Sequence, residues 1–175
     1  MEENNQVRHR IHEHFTEKHL IELNKIRKSG NYSNNNQKID DALMVLKDIG
    51  VVFIASGTNR FSILIDNYIY KIAMDSFGIR DNWTEFNFSQ ELQPYVTKTY
   101  ETNGLIAVAE YVNLFTKEEF IDSRDNINEI LAILSENYLF CDISTSLKNI
   151  CNFGYRNTGD IVILDFGLTT RSVYK

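Results

Sequence analysis

Two stretches near the C-terminus decide how this chain is read: Ile161-Val162-Ile163-Leu164-Asp165-Phe166-Gly167, and before it Asp142-Ile143-Ser144-Thr145-Ser146-Leu147-Lys148-Asn149. The first is a short apolar strand that ends on a carboxylate and a glycine. An ionised carboxylate at the end of such a strand is costly unless it meets a cation or several donors. The second is a polar loop that opens on another acid and closes on an asparagine. Upstream, residues 51–55, 60–65 and 68–73 are β-rich runs separated by Gly57-Thr58-Asn59 and Asp66-Asn67. They read as three antiparallel strands joined by tight turns.

Helical patterns surround these strands. In residues 5–29, Val7, Ile11, Phe15, Leu20, Leu23 and Ile26 recur near the helical period, and Gly30 follows as a stop signal. After the polar stretch 31–37, Ile39, Ala42, Leu43 and Leu46 define a second, short helix ended by Gly50. Residues 82–92 read as a helix carrying Glu85, Phe86 and Leu92, and 105–112 as a strand closing on Glu110-Tyr111. Thr116, with Glu119 three residues on, and Ser123 are the expected N-caps of a short and a longer helix. A strand is expected around 150–153, and a turn at Asn157-Thr158-Gly159. The expected division is a helical extension over 1–36 and one α+β domain over 37–175.

A chain of 175 residues is long enough to bury a sizeable core, and its net charge of −6 argues against a nucleic-acid or membrane-surface role. No apolar run approaches the ~20 residues of a membrane-spanning helix, and the N-terminus lacks the cationic and apolar parts of a signal peptide, so a cytoplasmic location is expected. Cys141 and Cys151 make no zinc pattern with a histidine and are expected to be free thiols. His9, His12, His14 and His19 all fall in the first helix, which leaves none for an active-site base further on. His9 and His12 have a spacing that suits a metal, with Glu13 adjacent, but solvated helix-face histidines are the better reading.

From Val51 onward the order of parts resembles the protein-kinase-like fold. Tyr70-Lys71-Ile72-Ala73 is similar to that family's third-strand lysine motif, and alternation puts Ile69, Lys71 and Ala73 on one face. A lysine between apolar neighbours loses solvation unless an anion meets it, and Glu85 on the next helix is the natural partner, with Glu91 the runner-up. Gly57 lies where the family has its glycine-rich loop, here with one glycine in place of three. Glu110-Tyr111-Val112 looks like the hinge, where backbone groups would hydrogen-bond an adenine. The resemblance makes Asp142 the catalytic-loop acid and Asn149 and Asp165 the Mg²⁺ ligands, in a site for ATP. Two departures stand out: Phe140-Cys141 replace the usual His-Arg, and Leu147 occupies the usual asparagine position. Asn149 therefore takes the role only with a two-residue loop insertion, and Lys148 then becomes a candidate phosphate contact.

What the resemblance implies is an antiparallel β-rich N-lobe, an abbreviated helical C-terminal part and an N-terminal helical extension. The implied activity is Mg²⁺/ATP-dependent phosphotransfer, with a protein Ser/Thr as acceptor. The chain ends at Lys175, soon after Gly167, so the family's activation segment, Ala-Pro-Glu motif and large helical lobe have no counterpart. A minimal kinase, a kinase-like binding module (a pseudokinase) and a truncated fragment all remain open on this reading. The binding-module alternative implies a partner protein. Composition and compactness also resemble small bacteriophage-encoded kinase-like proteins, for which a host protein is the natural partner.

Overall fold

The computed structural model describes residues 10–32, 34–140, 143–167 and 169–171. Its centre is a five-stranded antiparallel sheet built from β1 (Val52–Ser56), β2 (Arg60–Ile65), β3 (Tyr68–Ala73), β4 (Thr99–Thr102) and β5 (Ile106–Glu110), in the order β1-β2-β3-β5-β4. Two tight turns join β1 to β2 to β3, and Asp66 in the second takes a positive φ of 52°. Between β3 and β4 the chain runs through a helix, Ser76–Ser89, which packs on β3, β4 and β5.

Pairing along the sheet fixes which side chains share a face. Ser62 lies opposite Lys71, Lys71 opposite Ala107, and Arg60 opposite Ala73. Because paired residues project to the same side and side chains alternate along a strand, Arg60, Ser62, Lys71 and Ala107 form one row. The other face carries Phe61, Ile63, Tyr70, Ile72, Ile106 and Val108, all buried.

That apolar face is covered by the N-terminal helices α1 (Arg10–His14), α2 (Glu17–Lys28) and α3 (Asn35–Val45), whose Ile11, Phe15, Leu23 and Ile39 belong to the same core cluster as the sheet. The Phe15 ring lies 5.5 Å from that of Tyr70. Residues on both sides of position 36 thus share one core. The single helix expected over 5–29 is interrupted at Thr16. Its hydroxyl accepts the His19 N–H at 3.3 Å while His19 Nδ1 accepts the Thr16 N–H at 3.2 Å, and this reciprocal cap starts α2 afresh.

The helix after β3, α4, begins six residues before its expected start at Asn82. Asp75 caps it by accepting the Gly78 N–H at 2.8 Å. Gly78 also marks a close approach. A Cβ there would stand 2.3 Å from the Asn59 carbonyl oxygen and 3.1 Å from Ala73, so the β1–β2 turn, the end of β3 and α4 meet where only glycine fits. Gly78→Ala should therefore destabilise by about 1–3 kcal/mol despite alanine's better helix propensity. Urea unfolding measures this, and a stabilised variant would refute the contact.

Downstream the chain is more mixed than the expected helical part. It holds β6 (Asn113–Leu114), α5 (Lys117–Asp122), α6 (Arg124–Ser135), β7 (Tyr138–Phe140), β8 (Phe153–Tyr155), β9 (Ile161–Ile163) and β10 (Thr169–Arg171). The strands form two small sheets, β6-β8-β9 and β7-β10. Thr116 makes the expected capping box with Glu119, whereas Ser123 makes no side-chain cap bond. The strand expected around 150–153 is instead a 3₁₀ segment, Leu147–Asn152, that hands over to β8 at Phe153. A second apolar cluster, including Leu92, Val96, Phe120, Ile127, Phe153 and Phe166, holds this part together. Among the described residues, no helix is long and apolar enough to cross a membrane.

Candidate functional site

Lys71, from β3, and Glu85, from α4, meet at 2.6 Å between Nζ and Oε2. Both are buried, Glu85 with no exposed surface. The same Nζ donates to the carbonyl oxygen of Leu164 at 2.6 Å, which ties β3 to the residue before Asp165. Glu91, the alternative partner, accepts from the Tyr138 hydroxyl instead, at 2.5 Å.

A further cation completes the cluster. Arg60, first residue of β2 and 8% exposed, directs Nη2 to Glu85 Oε1 and to Asp165 Oδ1, each at 2.7 Å. Its Nη1 donates to Asn82 Oδ1 at 3.2 Å, and Asn82 in turn donates to the Gly104 carbonyl at 2.8 Å. Two cations and two carboxylates thus close a ring through Arg60, Glu85, Lys71, Leu164 and Asp165. Sequence reasoning missed Arg60, although the signal was present: counting by twos from the Gly57-Thr58-Asn59 turn puts Arg60 in the row of Lys71.

Asp165 sits at the open side of the ring, its side chain 58% exposed. Gly167 brings this segment against α4, since a Cβ at Gly167 would stand 2.6 Å from Cβ of Asp81. Burial acts to raise the Asp165 carboxyl, but the Arg60 guanidinium and then the Lys71 ammonium outweigh it and hold it below the ordinary range. Burial likewise opposes the charge of Arg60, yet Glu85 and then Asp165 overcome it and keep the guanidinium protonated. A carboxyl depressed in the folded state adds stability above its unfolded pKa of about 3.9, and that stability is lost as pH falls through the folded value. Asp165→Asn should therefore flatten the acid limb of the stability curve below about pH 5. Superimposable urea midpoints of the two proteins down to about pH 2 would contradict this.

Asp142 lies outside the described residues, as do Cys141 and His9. β7, which ends at Phe140, pairs with β10, which begins at Thr169, so the backbone brings the chain just before Asp142 beside the chain just after Asp165. Asn149 lies in the 3₁₀ segment and donates to Ser144 Oγ at 2.9 Å. The last residue of that segment, Asn152, accepts the Leu164 N–H at 2.8 Å. Cys151 is a free, exposed thiol.

Gly57 forms part of the β1–β2 turn, its N–H bonded to the Arg60 carbonyl at 2.8 Å, and a Cβ there would meet only that oxygen, at 3.7 Å. Glu110 accepts from Arg156 Nε at 2.7 Å and Nη2 at 3.0 Å, while Val112 is buried and Tyr111 exposed. Continuing the Lys71 row toward Glu110, Leu64 and Ile69 are half-buried and Ala109 buried, while Val52 opposite Leu64 is 55% exposed. The result is an apolar roof with small residues beneath Lys71.

A divalent cation fits the donor set. Mg²⁺ takes hard oxygens and commonly uses one or two carboxylates with waters and substrate phosphates. The half-exposed Asp165 supplies such an oxygen, and the described residues contain no cluster of three or more His, Cys, Asp or Glu able to hold a metal alone.

No family model matches the chain, and no curated protein does. Among solved structures it is similar to the streptomycin–ATP–APH(2")-IIa ternary complex, at 12% identity and a TM-score of 0.46, over 90% of this chain and 74% of that one. The antiparallel sheet with a helix after its third strand is the α+β architecture expected for the N-terminal part, with β4 as an unexpected fifth strand.

Proposed function

We propose that the protein is an ATP-dependent phosphotransferase of the kinase-like type, with a protein Ser/Thr as acceptor. The observation that carries the reading is the buried Lys71–Glu85 pair joined to Asp165 across nearly a hundred positions of sequence, through Leu164 and Arg60. Lys71 spends two of its three donors on Glu85 and Leu164, which leaves one N–H for a phosphate oxygen. The roof of Val52, Leu64, Ile69 and Ala109 suits a flat nucleobase, and backbone groups at Glu110–Val112 would meet its polar edge. Asp165, with Asn149, would hold Mg²⁺, which when bound neutralises charge on the phosphates. Asp142 would accept the proton of the acceptor hydroxyl. Since phosphoryl transfer asks mainly for positioning and charge, no further nucleophile is needed.

A specific observation favours a second reading, a binding module. The β1–β2 turn is pinned: Asn35 donates to the Thr58 carbonyl at 2.8 Å, Met74 N–H to the Asn59 carbonyl at 2.8 Å, and Asn59 Nδ2 to Asp81 at 3.2 Å. With the Gly57 N–H also engaged, this turn has little to offer a phosphate.

Melting with and without Mg²⁺ plus ATP tests nucleotide binding. At ~100 times Kd the ligand adds about 2.7 kcal/mol, hence roughly 5–10 °C for a chain of this size. Asp165→Ala should lose the rise. No shift in the folded wild type at millimolar ATP would sink the phosphotransferase reading and leave the binding module.

A further inference from the structure

We infer that Arg60 is a positioning residue that makes cation binding at Asp165 conditional on anion binding at Lys71, so that the site accepts a divalent ion only together with a polyphosphate. The inference rests on the nucleotide reading above and adds to it a rule for the order of loading. Glu85 and Asn82 already hold both arms of the guanidinium fork, through Nη2 and Nη1. One of these nitrogens, Nη2, is shared between the fully buried Glu85 and the half-exposed Asp165, at 2.7 Å from each. Asn82 fixes the other arm of the fork and is itself held by the Gly104 carbonyl, so the guanidinium cannot swing aside without stranding Asn82. The group cannot shed its proton either.

An ion arriving alone at Asp165 therefore meets a fixed like charge on the carboxylate it needs. A polyphosphate beside Lys71 changes the balance, because its negative charge offsets both cations while Arg60 goes on holding Asp165 Oδ1 in place. The link between the two subsites is physical: Lys71 and Arg60 share Glu85, through Oε2 and Oε1, and Lys71 also holds the carbonyl of the residue next to Asp165.

Calorimetric titration with Mn²⁺ alone, and with premixed Mn²⁺·ATP, tests this on the wild type, Arg60→Gln, Arg60→Lys and Asp165→Asn. Removing one like charge a few ångströms from a divalent ion should tighten binding at least about tenfold. Arg60→Gln is thus expected to bind Mn²⁺ alone at least about tenfold more tightly than the wild type, Arg60→Lys to resemble the wild type, and Asp165→Asn to bind neither form. Equal Mn²⁺ affinity in the wild type and a folded Arg60→Gln would overturn the inference while leaving nucleotide binding intact. Should Arg60→Gln not fold, the wild type alone decides: Mn²⁺ bound at Asp165 as tightly without ATP as with it overturns the rule, and a gain of at least about tenfold with ATP upholds it. A folded wild type that takes up no Mn²⁺·ATP refutes the nucleotide reading, and this inference with it.

Discussion

Glu85→Ala is expected to destabilise the protein by about 3–5 kcal/mol, the range for removing one member of a buried ion pair. The reason is charge balance in a dry place. Arg60, Lys71, Glu85 and Asp165 together are neutral, and Glu85 is the only one of the four with no solvent-accessible surface. Its two oxygens accept from different cations, Oε1 from Arg60 and Oε2 from Lys71. Taking it away leaves two buried cations with one half-exposed carboxylate between them. Lys71→Met should cost less, because Glu85 keeps Arg60 as a partner. Glu85→Ala combined with Lys71→Met should cost less than the sum of the two, since the second change removes a charge stranded by the first. Urea unfolding of the four proteins gives the comparison. A loss below about 1 kcal/mol for Glu85→Ala would mean that water reaches the pair, and that the cluster is not the closed ring described.

What could be read in the sequence, and what could not, follows from how each residue announces itself. Lys71 was legible because a lysine between apolar neighbours in a strand demands an anion, and Glu85 because it lies on the next helix. The turns at Gly57-Thr58-Asn59 and Asp66-Asn67 declared the first three strands. β4 was missed because Thr99-Tyr100-Glu101-Thr102 carries no apolar alternation; its place comes from pairing with β5, a partner later in the chain. The true start of α4 was hidden by Gly78, which reads as a helix breaker and is retained for close packing. The break at Thr16 turned on a histidine doing what glutamate does in a capping box. Arg60 was overlooked because it adjoins a turn, where arginine is ordinarily solvated. Its importance depends on Asp165, 105 positions away, which no local pattern reveals.

Asp142→Asn is expected to slow transfer of the ATP γ-phosphate by about 10²–10⁴-fold, the usual worth of a positioned proton acceptor, while nucleotide binding stays within a factor of about two. The split follows from the division of labour in the site. Lys71, Glu85, Arg60 and Asp165 form the charged ring where phosphate and cation would be held, with Glu85 engaged by both cations and Asp165 by Arg60. In the proposed transfer the acceptor hydroxyl would need a separate carboxylate. The β7–β10 pairing brings the chain just ahead of Asp142 beside the chain just after Asp165, and that region contains no histidine to compete for the role. Asp165→Asn should behave differently and lose binding and turnover together. Release of labelled phosphate from γ-labelled ATP, to water or to protein, measures turnover, and the melting shift measures binding in the same samples. A wild type that binds Mg²⁺·ATP yet releases no label above the Asp142→Asn background would identify a nucleotide-binding module that uses its ligand for shape. Equal turnover in the two proteins would move the proton acceptor elsewhere in the chain.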